Sequence, residues 1–231
     1  MKSKLNNFLI IIFLFIFTPI QAKNLTASYK LEIGALNLGK LEWNVEISDS
    51  NYKTTMQLND MGVFSGLYKF SGEYYAQGKI INNSFVSSKY LQIWKTKKKI
   101  REVEIFFKNT SVFSLLQKPT ETELSRVDYL NIPGFVDPLS SFLNILINGQ
   151  NNFTTIDGRR LYKMETKLEN EKPDIVTKKI LIDDYVNIWA DHKRKDLKFI
   201  IIKQDKKNND VFFPRSIIIK NKGLVFSLTK I

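Results

Sequence analysis

Cysteine is absent from this 231-residue chain, and histidine occurs once, at position 192. Zinc sites of the usual kinds need several sulfur or nitrogen ligands, so they are excluded, and no disulfide can brace the fold. The chain offers no GxSxG elbow, no phosphate-cradling glycine loop and no DxDxDG-like calcium loop. His192 sits among charged residues (Ala-Asp-His-Lys-Arg-Lys-Asp), the setting of a solvated loop and not of a general base. No catalytic residue, cofactor site or metal site is therefore assigned. Carboxylates are available, but Asp183-Asp184 is an adjacent pair that on a strand points to opposite faces and cannot form a dyad. Glu102 and Glu104, like Glu42 and Glu46, share the solvated face of an amphipathic strand. A carboxylate pair contributed by distant strands, as in glycosidases, would leave no local signature, so a carboxylate-based hydrolase stays open as an alternative.

Long apolar runs are also scarce. Residues 8–17 (FLIIIFLFIF) form one, behind Lys2 and Lys4 and ahead of Pro19 and the small residue Ala22. Ten apolar residues fall well short of the ~20 needed for a membrane span, so residues 1–22 read as a cleavable signal peptide, cut after Ala22. Residues 23–231 are expected to form one β-rich domain exported to the periplasm. The formal net charge is +12, nearly all from lysine in a chain also rich in asparagine, isoleucine and phenylalanine. Compositional drift accounts for such a mixture. The functional counterpart is attraction to an anionic membrane surface, since export argues against nucleic acid as a partner.

What is plentiful is period-two alternation. In Leu41-Glu42-Trp43-Asn44-Val45-Glu46-Ile47 the apolar side chains share one face, as do Tyr29, Leu31 and Ile33 upstream, and Tyr52, Thr54, Met56 and Leu58 downstream. Residues 34–39 should connect the first two runs as a hairpin loop. Strands are expected at 68–77, 85–94, 100–107 and 112–117, then at 153–156, 160–168, 175–182, 186–189, 197–204, 211–220 and 224–231. Half-buried antiparallel sheet has this pattern.

One segment breaks the rhythm. Asp137 is a cap for free helix amides, Pro138 suits the first helical position, and Gly149 can end the helix. Leu139, Phe142, Leu143 and Leu146 fall at i, i+3, i+4 and i+7, and Ile145 and Ile147 widen the stripe. A helix buried on most sides is predicted over about 137–148, packed on the concave face of a curved antiparallel sheet or an incompletely closed β-barrel. Asp157-Gly158 is the strongest short hairpin signal in the chain. Arg159 and Arg160 after it could bind a carboxylate or phosphate, but the favoured reading has an arginine pinning the hairpin to Asp137 or another acid near the helix start. Phe64, Leu67 and Tyr68, set among glycines, could form an apolar lip where a ligand or partner enters, against the plainer reading that they fill the core.

Leu36-Asn37-Leu38-Gly39, Gly62-Val63-Phe64, Asp137-Pro138-Leu139-Ser140-Ser141-Phe142 and Asp157-Gly158-Arg159-Arg160-Leu161-Tyr162, in that order, resemble the exported domain-of-unknown-function 3108 (DUF3108) family. The likeness runs from about Tyr29 to the C-terminus, and the Asp-Pro-Leu-Ser and Asp-Gly-Arg pieces are its most specific parts. Some members carry cysteines near the Asp-Gly-Arg hairpin, which this chain lacks. The resemblance implies a β-rich protein of the Gram-negative envelope and no particular activity. The functional expectation is a non-enzymatic periplasmic module binding a lipid-like ligand or an envelope partner, with a structural or docking protein of the envelope as a further alternative.

Overall fold

The structure, a computed structural model, describes residues 23–61, 69–130, 132–189, 196–206 and 213–231. Residues 1–22, expected to be a signal peptide, the proposed lip residues Phe64, Leu67 and Tyr68, and His192 with its basic neighbours lie outside the described residues. The first seven strands are β1 (Lys23–Ile33), β2 (Leu36–Ile47), β3 (Asn51–Asp60), β4 (Phe70–Ile81), β5 (Ser84–Thr96), β6 (Ile100–Lys108) and β7 (Ser111–Lys118). After β8 (Phe135–Val136) comes the helix α1 (Pro138–Ile147). β9 (Asn152–Ile156), β10 (Arg160–Glu171), β11 (Ile175–Asn187), β12 (Leu197–Asp205), β13 (Ser216–Asn221) and β14 (Leu224–Lys230) follow.

The strands form a single sheet in the order β7-β6-β5-β4-β3-β2-β1-β14-β13-β12-β11-β10-β9-β8. Two seven-stranded meanders are joined where β1 pairs with β14, Tyr29 opposite Lys230. All pairs are antiparallel except β8 with β9. The sheet curls into a nearly closed barrel, as the alternation and the helix punctuation led one to expect. Its two ends meet through side chains. Tyr90, Val103 and Ile105 from one meander and Phe135, Ile156, Leu161 and Ile188 from the other belong to one buried cluster. A few backbone bonds stitch the same seam: Phe135 N–H donates to Thr110 O at 3.2 Å and Arg126 N–H to Ile188 O at 2.8 Å.

Local details differ from the sequence expectation in four places. Only residues 34–35 turn between β1 and β2, because Leu36–Gly39 already pair with β1 across a bulge at Leu31/Glu32. The segments 175–182 and 186–189 are not two strands: β11 runs unbroken to Asn187. It does so by bulging, with Asp184 at a φ of 51° and the register shifting between Leu161 and Lys163. That bulge turns Asp183 and Asp184 out together between buried Ile182 and Tyr185, so the opposite-face expectation fails there. β13 starts at Ser216, later than the alternation suggests, and the two-residue β8 is too short to carry a periodic signal.

Candidate functional site: a plugged barrel with an apolar cavity

The helix packs inside the curled sheet, in one buried cluster with residues of β1, β2, β3 and β5. Its residues from Leu139 to Leu146 are all buried, as a helix apolar on most sides requires. Asp137 caps it as expected: its Oδ1 accepts from the N–H groups of Leu139 (2.9 Å) and Ser140 (3.0 Å). The same carboxylate does more than cap. Oδ2 accepts from the hydroxyls of Ser87 on β5 and Ser140, each at 2.5 Å, and Tyr52 from β3 meets Ser140 Oγ at 2.5 Å. Burial pushes the Asp137 carboxyl above its ordinary range, against these hydrogen bonds, which pull it down. The other end of the helix is held as well: Asn148 Nδ2 donates to Asn83 O in the β4–β5 turn, and Lys178 Nζ donates to Ile145 O at 3.3 Å.

Gly158 fastens the seam. It follows β9 with a φ of 84°, and Asp157 Oδ1 accepts from the N–H groups of Arg159 (2.9 Å) and Arg160 (2.8 Å), forming the turn the Asp-Gly pair predicted. A Cβ at position 158 would collide with Val103 Cγ1 on β6, so both the backbone angle and the close approach call for glycine. The Gly158 carbonyl accepts from Gln117 Nε2 on β7 (3.2 Å) and Trp189 Nε1 (3.1 Å). The expected arginine contact to Asp137 does not form. Arg160 instead lies 3.3 Å from Asp157 Oδ2, within its own turn, and 3.8 Å from Asp196 Oδ2. Asp137 is sealed in the interior with its acceptor sites filled, out of reach of a side chain that keeps its charge near water. Arg159 is half-buried beside Arg101, and burial together with that neighbour lowers its pKa.

Beside the helix lies a cavity of about 1120 Å³. Pro138, Leu139 and Phe142 of the helix line one side of it, and Leu41, Met56, Leu58, Ile200, Ile219 and Phe226 belong to the curved wall. Phe70 and Trp94 stack at 5.7 Å between ring centroids, next to the exposed turns. Burial lifts the pKa of the wall phenol Tyr74 to about 12 and raises that of Tyr162 as well, so both stay neutral under ordinary conditions. Lys69, Lys97, Lys98 and Lys222 also line the cavity, and all four are exposed. No carboxylate is among the described lining residues.

The acids singled out from sequence are spent on surface ion pairs. Glu104 pairs with Lys89 at 2.6 Å, Glu102 with Lys118 at 3.2 Å, Glu42 with Lys40 at 2.8 Å and Glu46 with Lys53 at 3.2 Å. Of the motif residues, Asp137, Pro138 and Ser140 come together at the helix start, where Pro138 reaches the cavity. Asp157, Gly158 and Arg159 build the seam and do not line the cavity. Sequence reading missed the wall itself. The available signal was the inward face of β13 and β14, where Ile217, Ile219, Phe226 and Leu228 alternate with outward residues.

No family model matches the chain, and no curated protein does. Among solved structures the chain is similar to a β-barrel-like protein of domain of unknown function DUF1849 from Brucella abortus. The TM-score is 0.50 with 12% sequence identity, covering 91% of this chain and 96% of that one. At that identity the likeness concerns the fold. It agrees with a β-barrel-like architecture spanning nearly the whole chain.

Proposed function

We propose that this chain is a periplasmic binding module for a lipid-like apolar ligand, related to the exported DUF3108 family. The carrying observation is the apolar cavity of about 1120 Å³ between the helical plug and the lysine-bearing turns. Small-molecule pockets typically span ~300–1,000 Å³, so this one suits a long-chain ligand. Filling it with hydrocarbon removes apolar surface from water at roughly 25 cal/mol per Å², which supplies affinity without directional contacts. The signal-like residues 1–22 support export. The wall offers neutral phenols and hydrocarbon, a lining suited to holding a ligand and not to proton transfer, which favours binding over the hydrolase alternative.

The test is mass spectrometry of solvent extracts from residues 23–231, purified from a periplasm without detergent. A stoichiometric lipid or other long-chain molecule is the expected result. Protein that extracts clean, and that also leaves an apolar fluorescent probe unbound, overturns the reading.

A further inference from the structure

The lysines at the cavity come from three separate places in the chain. Lys69 precedes β4, Lys97 and Lys98 occupy the β5–β6 turn, and Lys222 stands on the β13–β14 turn across the barrel. Three connections from two meanders thus put cations around one opening. Lys222 Nζ also lies 3.9 Å from Asp196 Oδ2, a long pairing in which the lysine is exposed. The stacked Phe70 and Trp94 line the same cavity, whose described lining is otherwise mostly apolar.

From this juxtaposition we infer that the occupant is an anionic amphiphile, its acyl chains in the cavity and its carboxylate or phosphate headgroup held among Lys69, Lys97, Lys98 and Lys222. The inference rests on the ligand-binding reading above and adds the headgroup class. An uncharged amphiphile would gain the cavity but nothing at the opening. An anionic one also gains attraction from each exposed lysine, individually modest and screened by salt. Lysine suits this position because its long stem lies along apolar surface while the ammonium stays wet.

The probes are hexadecanoate, phosphatidylglycerol vesicles and hexadecanol, with binding read from tryptophan fluorescence at low and high salt. The wild-type protein is compared with the triple variant Lys69→Gln/Lys98→Gln/Lys222→Gln. These side chains are exposed, and an unchanged far-UV circular dichroism spectrum checks the fold. Binding of one or both anionic probes is expected, with hexadecanol about tenfold weaker. The triple variant should lose about tenfold for the anionic probes and nothing for hexadecanol, the sum of several exposed charge contacts. Preference for hexadecanoate assigns a carboxylate headgroup, and preference for phosphatidylglycerol a phosphate. Equal binding of hexadecanol and the anions, indifferent to the substitutions, overturns the headgroup inference and leaves the apolar cavity standing. Failure of all three probes overturns both.

Discussion

The side chain of Asn144 in the helix makes both hydrogen bonds to Phe85 that a neighbouring strand would make. Its Oδ1 accepts from Phe85 N–H at 2.8 Å, and its Nδ2 donates to Phe85 O at 3.0 Å. β6 joins β5 only from Lys89 onward, so Phe85 would otherwise present an open backbone edge in the interior. A carboxamide can satisfy a peptide group completely because it carries the same donor and acceptor in one plane. The plug is thereby keyed to one register along β5.

Replacing Asn144 by leucine keeps the branched heavy-atom outline and strands two buried backbone groups. At about 1–3 kcal/mol for each, a loss of roughly 2–6 kcal/mol is expected in urea unfolding, with the slope of the transition unchanged. A loss under 1 kcal/mol would mean that the β5 edge finds another partner.

Asp137 is expected to make stability depend on pH in the sense opposite to most carboxylates. Its folded-state pKa is raised above the ordinary value of 3.8, chiefly by burial, so the folded protein holds the proton more tightly than the unfolded chain. That contribution is complete below the unfolded value and is lost as pH rises from there through the folded value. Asp137→Asn removes the titration while keeping an acceptor for the helix amides. The difference in unfolding free energy between wild type and variant, measured across this range, should therefore change with pH, wild type gaining as pH falls. A constant difference would show that hydrogen bonding to the serines offsets burial.

Gly158→Ala should destabilise the seam by about 2–4 kcal/mol, combining a positive φ with a clash against Val103. Adding Val103→Ala relieves the clash and leaves the backbone strain. The double variant is then more stable than the sum of the singles predicts, which a double-mutant cycle in denaturant detects. Strict additivity would place the whole cost in the backbone.

Leu58→Trp puts a larger side chain on the cavity wall from half-buried β3. An apolar fluorescent probe should bind about tenfold more weakly, since volume differences of a few methylenes in an apolar pocket carry such factors. Unfolding should occur at an equal or higher urea concentration. Unaltered probe affinity would locate binding elsewhere.

The alternating strands, the Asp137–Pro138 helix start and the Asp157-Gly158 turn were legible in the sequence because each depends on residues a few positions apart. Side-chain direction repeats every two residues in a strand, and a cap needs only the amides that follow it. The partners of Asp137 were not legible: Ser87 lies 50 positions away, and only the pairing of β4 with β5 and the seating of the helix bring it near. The same holds for the arginine contact expected at the helix start: Arg160 instead closes its own turn on Asp157. The cavity and its lysines belong wholly to the tertiary structure. They exist because β1 and β14, about two hundred positions apart, pair at Tyr29 and Lys230 and bend two meanders around one space. Alternation reveals which face of each strand is apolar. How far those faces stand apart, and so whether they fill a core or leave room for a ligand, is set by sheet curvature and by the helix α1, which occupies only part of the interior.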